Sequence, residues 1–330
     1  MVKFPDLFTQ KLNSEFMIKP LVSVLMITYN HEAYLKEAIN GVLEQEGDFD
    51  LELIIAEDTS TDNSKVIIND FIANHPKGNL IKYTRHIENM GMMKNLIWAY
   101  NQCNGEFIAL CEGDDYWIDK YKIEKQTSFL SANKDFMISY HPAMVLQKNG
   151  ELVPDFITEN FFKSENSNQL DLAIFGNYIH TPTVVFRNTR MEIPAYFKEL
   201  LVGDFFLYLL LSKNGKINRM PDYSAVYRFQ VGFFSSQNAE KIRNDFKKSL
   251  RIFYLNYNQF SIKLILFLRF QNSNLFHRNT FIEKSNLSNS LVLKFRYISV
   301  IEVLRSFKNF LFRHEYSRVY GKRFIYNILF

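Results

Sequence analysis

The chain has 330 residues, 47% of them hydrophobic and 22% charged, with only 12 Gly and 8 Pro. This length predicts one large domain or two ordinary ones, and the composition excludes collagen-like, low-complexity and wholly disordered chains, because enough apolar surface is available to offset the entropy of ordering. The net charge of +4 conceals an asymmetry: residues 1–240 carry 22 Lys+Arg against 31 Asp+Glu and residues 241–330 carry 17 against 4, an acidic body followed by a basic end.

The opening residues, M-V-K-F-P-D-L-F-T-Q-K-L, lack the apolar core of a cleavable secretory signal. Val22 to Thr28 is a short β-branched apolar run that predicts a strand, and Ala33, Leu35, Ala38, Ile39, Val42 and Leu43 recur at helical spacing after it. Leu51 to Ala56 repeats the strand signal and ends in E-D-T-S-T-D-N-S, whose Asp, Ser and Thr residues suit the cap of a helix carrying Val66, Ile67, Ile68, Phe71 and Ile72. Leu80 to Tyr83 reads as a third strand, Met93 to Gln102 as a helix, and Phe107 to Cys111 as a fourth strand, again followed by acids. Strands alternating with helices predict a parallel sheet covered on both faces. From about Phe136 the pattern is mixed, with strands expected at Met137 to Tyr140, Thr183 to Phe186 and Ala225 to Phe229 and a helix from Asp204 to Lys213. The apolar stretches at 200–211 and 262–270 are short or carry Asp204 or Lys263, so no bilayer-spanning helix is expected. Cys103 and Cys111 make neither a disulfide framework nor a zinc spacing, which predicts a reducing, cytoplasmic setting.

In a parallel α/β sheet ligands bind beyond the carboxyl ends of the strands. Tyr29, Asn30 and His31 follow the first strand, Glu57, Asp58 and Thr59 the second, and Glu112, Gly113, Asp114 and Asp115 the fourth. No G-x-G-x-x-G or G-x-x-x-x-G-K follows any strand, which counts against dinucleotide-binding and P-loop readings. Adjacent carboxylates on a strand-end loop can reach one hard cation, which in turn can hold a diphosphate. Taken alone, such a pair is more often an acidic turn capping the next helix.

Three segments decide the matter together: V-S-V-L-M-I-T-Y-N, then L-I-I-A-E-D-T-S-T-D-N-S, then G-E-F-I-A-L-C-E-G-D-D-Y-W-I-D-K-Y-K-I-E-K-Q. In order and spacing they resemble the nucleotide-sugar half of family 2 glycosyltransferases with the A-type fold, and the likeness runs from about Val22 to Ser235. The resemblance implies a Rossmann-like, mostly parallel sheet with helices on both faces. Residues 1–237 would be the catalytic domain, with a nucleotide-sugar half at 20–135 and an acceptor half at 136–237. Residues 238–330 would be a mainly helical, basic and aromatic extension. It further implies that Thr28 and Tyr29 line the donor site with Tyr29 stacked on the base, that Asp58 accepts from the base, favouring UDP- or dTDP-sugars, that Asp114 approaches the ribose or sugar, and that Asp115, with Asp114 as a second candidate, ligates Mn²⁺ or Mg²⁺. Where relatives often have two aspartates after the second strand, this chain has Glu57 and Asp58.

V-G-D-F-F-L-Y-L-L-L-S-K-N-G-K-I resembles the family segment carrying the catalytic base, which assigns that role to Asp204, a residue equally suited to begin a helix. A-V-Y-R-F-Q-V-G-F-F-S resembles the loop that closes over the diphosphate, with Arg228 as a phosphate contact and Gln230 where a histidine often stands. His180, in N-Y-I-H-T-P-T, and Trp117 are the acceptor-side candidates. The expected activity is inverting transfer of a sugar from a nucleotide diphosphate to a hydroxyl of a glycan or lipid-linked glycan, in bacterial surface-polysaccharide assembly. A non-catalytic nucleotide-sugar-binding subunit is the alternative, motivated by Gln230. The basic end, as in K-F-R-Y-I-S-V-I-E-V-L-R-S-F-K-N-F-L-F-R-H, fits peripheral contact with an anionic membrane, or packing of its aromatic face against the catalytic domain or against a second copy as a homodimer, and no nucleic-acid module accompanies it.

Overall fold

In the computed structural model the described residues are 20–155, 165–232 and 236–271, so the end of the basic region from residue 272 onward lies outside them. The chain begins with strict alternation: β1 (Leu21–Thr28), α1 (Leu35–Leu43), β2 (Asp50–Glu57), α2 (Ser64–Asn74), β3 (Ile81–Arg85), α3 (Met92–Gln102) and β4 (Phe107–Leu110). It continues through β5 (Tyr116–Trp117), α4 (Lys122–Ala132), β6 (Phe136–Tyr140), β7 (Met144–Leu146), β8 (Leu152–Pro154), β9 (Asn166–Ser167), α5 (Gln169–Phe175) and β10 (Val185–Arg187). Then come α6 (Asp204–Leu211), β11 (Lys216–Arg219), β12 (Ala225–Arg228), α7 (Ala239–Asn256) and α8 (Phe260–Gln271).

Eight strands form one sheet in the order β3-β2-β1-β4-β10-β6-β11-β9, and β1 runs parallel to both β2 and β4. Both faces are covered, which is why these strands read as unbroken apolar runs. On one face Val24, Met26, Leu53, Ile55 and Ala109 pack under α1, whose Leu35, Ala38, Ile39, Val42 and Leu43 fall on one stripe. On the other, Leu25, Ile27, Ile54, Ala56, Ile108 and Leu110 meet α3 and α6. The sheet is mostly parallel, as expected; the exceptions are β10, antiparallel to β4 and β6, and the edge strand β9, antiparallel to β11. Thr181–Thr183 forms a 3-10 turn, so the strand expected from Thr183 starts instead at Val185.

A second sheet, β5-β12-β7-β8, stands apart and brings β12 alongside the residues just after Asp114 and Asp115. Leu250 and Phe253 of α7, Tyr257 just after it, and Ile262 and Leu266 of α8 are buried in the same core as β1, β4 and α6. The first part of the basic end is therefore packed onto the body formed by the eight-stranded sheet. Among the described residues no helix is long and apolar enough to cross a membrane.

Lys122, at the start of α4, is almost fully buried, with Nζ 4.3 Å from the centre of the Trp117 ring and donating to Gln126 Oε1 at 2.9 Å. Burial pulls its pKa down to about 7. Between that value and the ordinary lysine value near 10.4 the unfolded chain holds a proton that the folded chain lacks, so stability rises with pH across this window and the cost of burial is fully present below it. Lys122→Met is therefore expected to stabilise the fold by about 1–2 kcal/mol at pH 6 and to lose that advantage by pH 10. Urea melts at the two pH values measure it; an advantage independent of pH would contradict the burial of the charge.

Candidate active site

The carboxyl ends of β1, β2 and β4 open onto two adjoining cavities of about 420 and 300 Å³. The first is lined by Thr28, Tyr29, Asn30 and His31 after β1, Asp58 after β2, and Glu112 and Asp114 after β4. Local chemistry fixes these loops. Asn30 adopts φ +56°, a conformation asparagine tolerates better than most residues, and its Oδ1 accepts from Thr61 N at 2.8 Å while its own N–H donates to Ser60 Oγ at 3.1 Å. A Cβ at Gly113 would lie 2.6 Å from Thr28 Oγ1 and 2.9 Å from His31 Nδ1, so only glycine lets the acidic loop pass beneath the end of β1.

Asp58 is buried and its two carboxylate oxygens accept from Met90 N at 2.8 Å and Gly91 N at 2.9 Å. It thus shapes the cavity wall, and the acceptor capacity of a carboxylate leaves lone pairs over for a ligand. Glu57 is fully buried and structural: it accepts from Ser60 N at 2.7 Å, pairs with Arg85 at 3.2 Å and takes the Tyr83 hydroxyl. Tyr29 keeps 39% of its surface exposed at the cavity mouth, as a stacking platform needs.

Glu112, Asp114 and Asp115 each offer a carboxylate oxygen within 4.8 Å of the others. Asp115 Oδ1 accepts the Arg228 backbone N–H at 2.8 Å, whereas Asp115 Oδ2 and Asp114 Oδ1 are buried with no hydrogen-bond partner. Burial, then the neighbouring Asp114 and Glu112, push the Asp115 carboxyl well above the ordinary range. Burial, then Asp114 and Asp204, push Glu112 up to about 8. Three crowded carboxyls with two unsatisfied buried oxygens fit a hard divalent cation, which would relieve both the repulsion and the unmet lone pairs.

The second cavity contains Asp204, Asn177, His180 and Phe246, and shares Ile27, Met92, Glu112 and Tyr227 with the first. Asp204 is the first residue of α6, after the cap residue Gly203, and its Oδ2 accepts from Asn177 Nδ2 at 2.6 Å. Burial raises its pKa, opposed by the Phe205 amide and by Asn177. His180 packs against the Tyr227 ring at 4.7 Å and lies 3.3 Å from Asp155; burial lowers its pKa, but Asp155 and then Asp204 more than offset that.

Two residues singled out from sequence are engaged elsewhere. The Arg228 guanidinium donates to the Asp114 carbonyl at 2.6 Å and to Glu37, lies over the Tyr116 and Tyr34 rings at 4.3 and 5.0 Å, and lines neither cavity. It clamps the acidic loop from behind. Trp117 is buried in the core, with its indole N–H donating to Pro182 O at 2.8 Å, and also lines neither cavity. Conversely, Glu112, His31, Asn177, Tyr227 and Phe246 line the cavities without having been assigned roles. Glu112 stood inside the quoted motif; nothing in the sequence pointed to Phe246.

Residues 23–189, just over half of the chain, match the family model described as Glycosyl transferase family 2. An uncharacterized protein of Mycobacterium tuberculosis is 32% identical over 209 residues, covering 63% of this chain and 58% of that protein. An uncharacterized glycosyltransferase of Methanocaldococcus jannaschii is 29% identical over 146 residues, covering 44% and 49% of the two chains. These matches thus span only about half the length of those curated relatives. Among solved structures, S. aureus TarS 1-349 in complex with UDP-GlcNAc superposes with TM-score 0.58 at 22% identity, covering 82% of this chain and 77% of that one. The mannosyltransferase PcManGT from Pyrobaculum calidifontis, in complex with GDP-Man and Mn2+, gives TM-score 0.56 at 16% identity over 87% and 86% of the two chains. At these identities the structural likeness speaks for the fold.

Proposed function

The chain belongs to glycosyl transferase family 2, and from that premise we propose that it moves a sugar from a nucleoside-diphosphate sugar to a hydroxyl of a glycan or glycolipid, with inversion at the anomeric carbon. The observation that carries this reading is the pair of adjoining cavities, one holding Asp114 and the other Asp204, with Glu112 and Tyr227 common to both. A reacting carbon at the junction would have the diphosphate on one side and the base on the other, as in-line displacement requires.

Tyr29 supplies a face for the base and Asp58 a hydrogen-bond acceptor, which favours a uracil or thymine ring with an N–H to offer. The free oxygens of Asp114 and Asp115 would hold Mn²⁺ or Mg²⁺, with Glu112 in reach. Bound there, the cation supplies charge neutralisation for the leaving diphosphate. Asp204 takes the proton of the acceptor hydroxyl as its oxygen bonds to the anomeric carbon; the bond from that carbon to the diphosphate oxygen breaks, and the nucleoside diphosphate leaves with the electron pair. TarS with UDP-GlcNAc and the mannosyltransferase with GDP-Man and Mn2+ support the donor class and the cation by analogy of fold.

The reading extends to the assembly of bacterial surface or lipid-linked glycans on the cytoplasmic side of a membrane, with the nucleotide-sugar half at 20–135, the acceptor half at 136–237 and the basic region as a peripheral membrane contact. In the described part of that region Lys248 and Arg251 are exposed on α7; residues 272–330 lie outside the described residues. Calorimetric titration of UDP, dTDP, GDP and CDP, each with Mn²⁺ and with EDTA, tests the donor site. One pyrimidine diphosphate that binds only with Mn²⁺ is the expected result; no binding by any of the four would overturn the donor site.

A further inference from the structure

Both cavities are lined mainly by apolar surface, and they differ in the side chains that supply their polar groups. The donor cavity is walled by hydrogen-bonding side chains such as Asn30, Asp58, Asn89 and Asn95. In the acceptor cavity Asp204, Asn177, His180, Glu112 and Thr181 supply polar groups, and Met92, Met93, Leu96, Val202 and Phe246 form an apolar wall. A sugar ring with hydroxyls on every edge would bury several of them against thioethers and alkyl groups, and each hydroxyl stranded in this way costs roughly tenfold in affinity. A wall of this kind fits an acceptor that presents one hydroxyl to the base and an apolar body beside it.

Phe246 is the unexpected member, because it comes from α7, in the basic region beyond the family resemblance. Its position is secured on two sides. The ring lies 6.0 Å from Phe206 and 5.9 Å from Phe205, the residues directly after the base. Three residues further on, the fully buried Ser249 Oγ accepts from Leu201 N at 2.8 Å and Val202 N at 3.3 Å and donates to Asp245 O at 3.0 Å, tethering α7 to the loop that leads into Asp204.

We infer that α7 is a wall of the acceptor subsite and that Phe246 selects acceptors carrying an alkyl-type apolar group next to the reacting hydroxyl, as a glycolipid does. This rests on the acceptor reading of the second cavity. The test titrates n-octyl β-D-glucopyranoside, below the concentration at which it forms micelles, and methyl β-D-glucopyranoside into the full chain, with and without UDP and Mn²⁺. The octyl glycoside is expected to bind about tenfold or more tightly than the methyl one. Phe246→Ala and Phe246→Gln should erase the preference, Phe246→Leu should keep most of it, and Leu255→Ala, exposed on the same helix, should leave it unchanged. Equal binding of the two glycosides, or a preference that survives Phe246→Ala, overturns the inference. UDP binding in the same samples reports folding and the donor site separately, so its loss would count against the proposed function and not against the acceptor wall.

Discussion

Asp204→Asn is expected to slow sugar transfer by about a thousandfold while UDP binding in the presence of Mn²⁺ stays within about a factor of two. The separation follows from the geometry. Asp204 lines the second cavity, is absent from the lining of the first, and accepts a side-chain hydrogen bond from Asn177, so donor affinity does not run through it. Beginning a helix is not its only employment: Gly203 is the cap residue, and a carboxylate serving the first turn alone would gain nothing from burial in a cavity. Asparagine keeps the shape and an acceptor for Asn177 but cannot take a proton. Burial raises the pKa of Asp204, so the acid limb of the wild-type rate should stand above the ordinary carboxylate range, falling as pH drops through that raised value. An asparagine variant with wild-type turnover, or one that lost UDP binding and transfer together, would remove Asp204 from the role of base.

The sequence revealed the scaffold better than the site. The alternation from β1 to β4 was readable because both faces of these strands are buried, which leaves apolar runs too continuous to miss. The short strands β5, β7, β8, β9 and β11, with two to four residues each, give no periodicity to detect, and the antiparallel entry of β10 between β4 and β6 depends on pairing across most of the domain. The strand-end motif located the acids, but not their division of labour. Asp114 lines the first cavity while its neighbour Asp115 does not, taking instead a backbone N–H from Arg228, a residue 113 positions later. The partners of Arg228 gave no local sign in the sequence, since Glu37 is 191 residues away and Tyr34 and Tyr116 reach its guanidinium only in the folded chain. Trp117 likewise gives no local sign that its ring turns into the core rather than toward the acceptor. Phe246 lies in a region whose composition suggests a membrane or a partner, and its place beside Asp204 follows from the packing of α7 on α6.

Replacing Asp114 by alanine is expected to weaken UDP binding in Mn²⁺ by about a hundredfold and to bring it down to the level found in EDTA. Asp114 is the carboxylate that both lines the first cavity and keeps an unsatisfied buried oxygen, whereas Asp115 lines neither cavity and has one oxygen taken by the Arg228 amide. Asp115→Asn should therefore act more mildly than Asp114→Ala: asparagine can still accept from Arg228 through its carbonyl oxygen, so the loop stays clamped while one anionic ligand is lost. The two variants also differ in what they do to the empty protein. Either thins a cluster of three crowded carboxyls, so neither should lower the melting temperature without metal, and at Asp115, whose carboxyl burial pushes well above the ordinary range, neutralisation also removes the cost of burying that group. In Mn²⁺ the order reverses, since the wild type alone gains the full stabilisation of a bound cation. Melting curves with EDTA and with Mn²⁺, read beside UDP titrations, separate loss of a metal ligand from loss of the fold. If wild-type UDP binding were indifferent to EDTA, the acidic cluster would not be a cation site, and the unsatisfied oxygens of Asp114 and Asp115 would have to be explained by the ribose and the sugar alone.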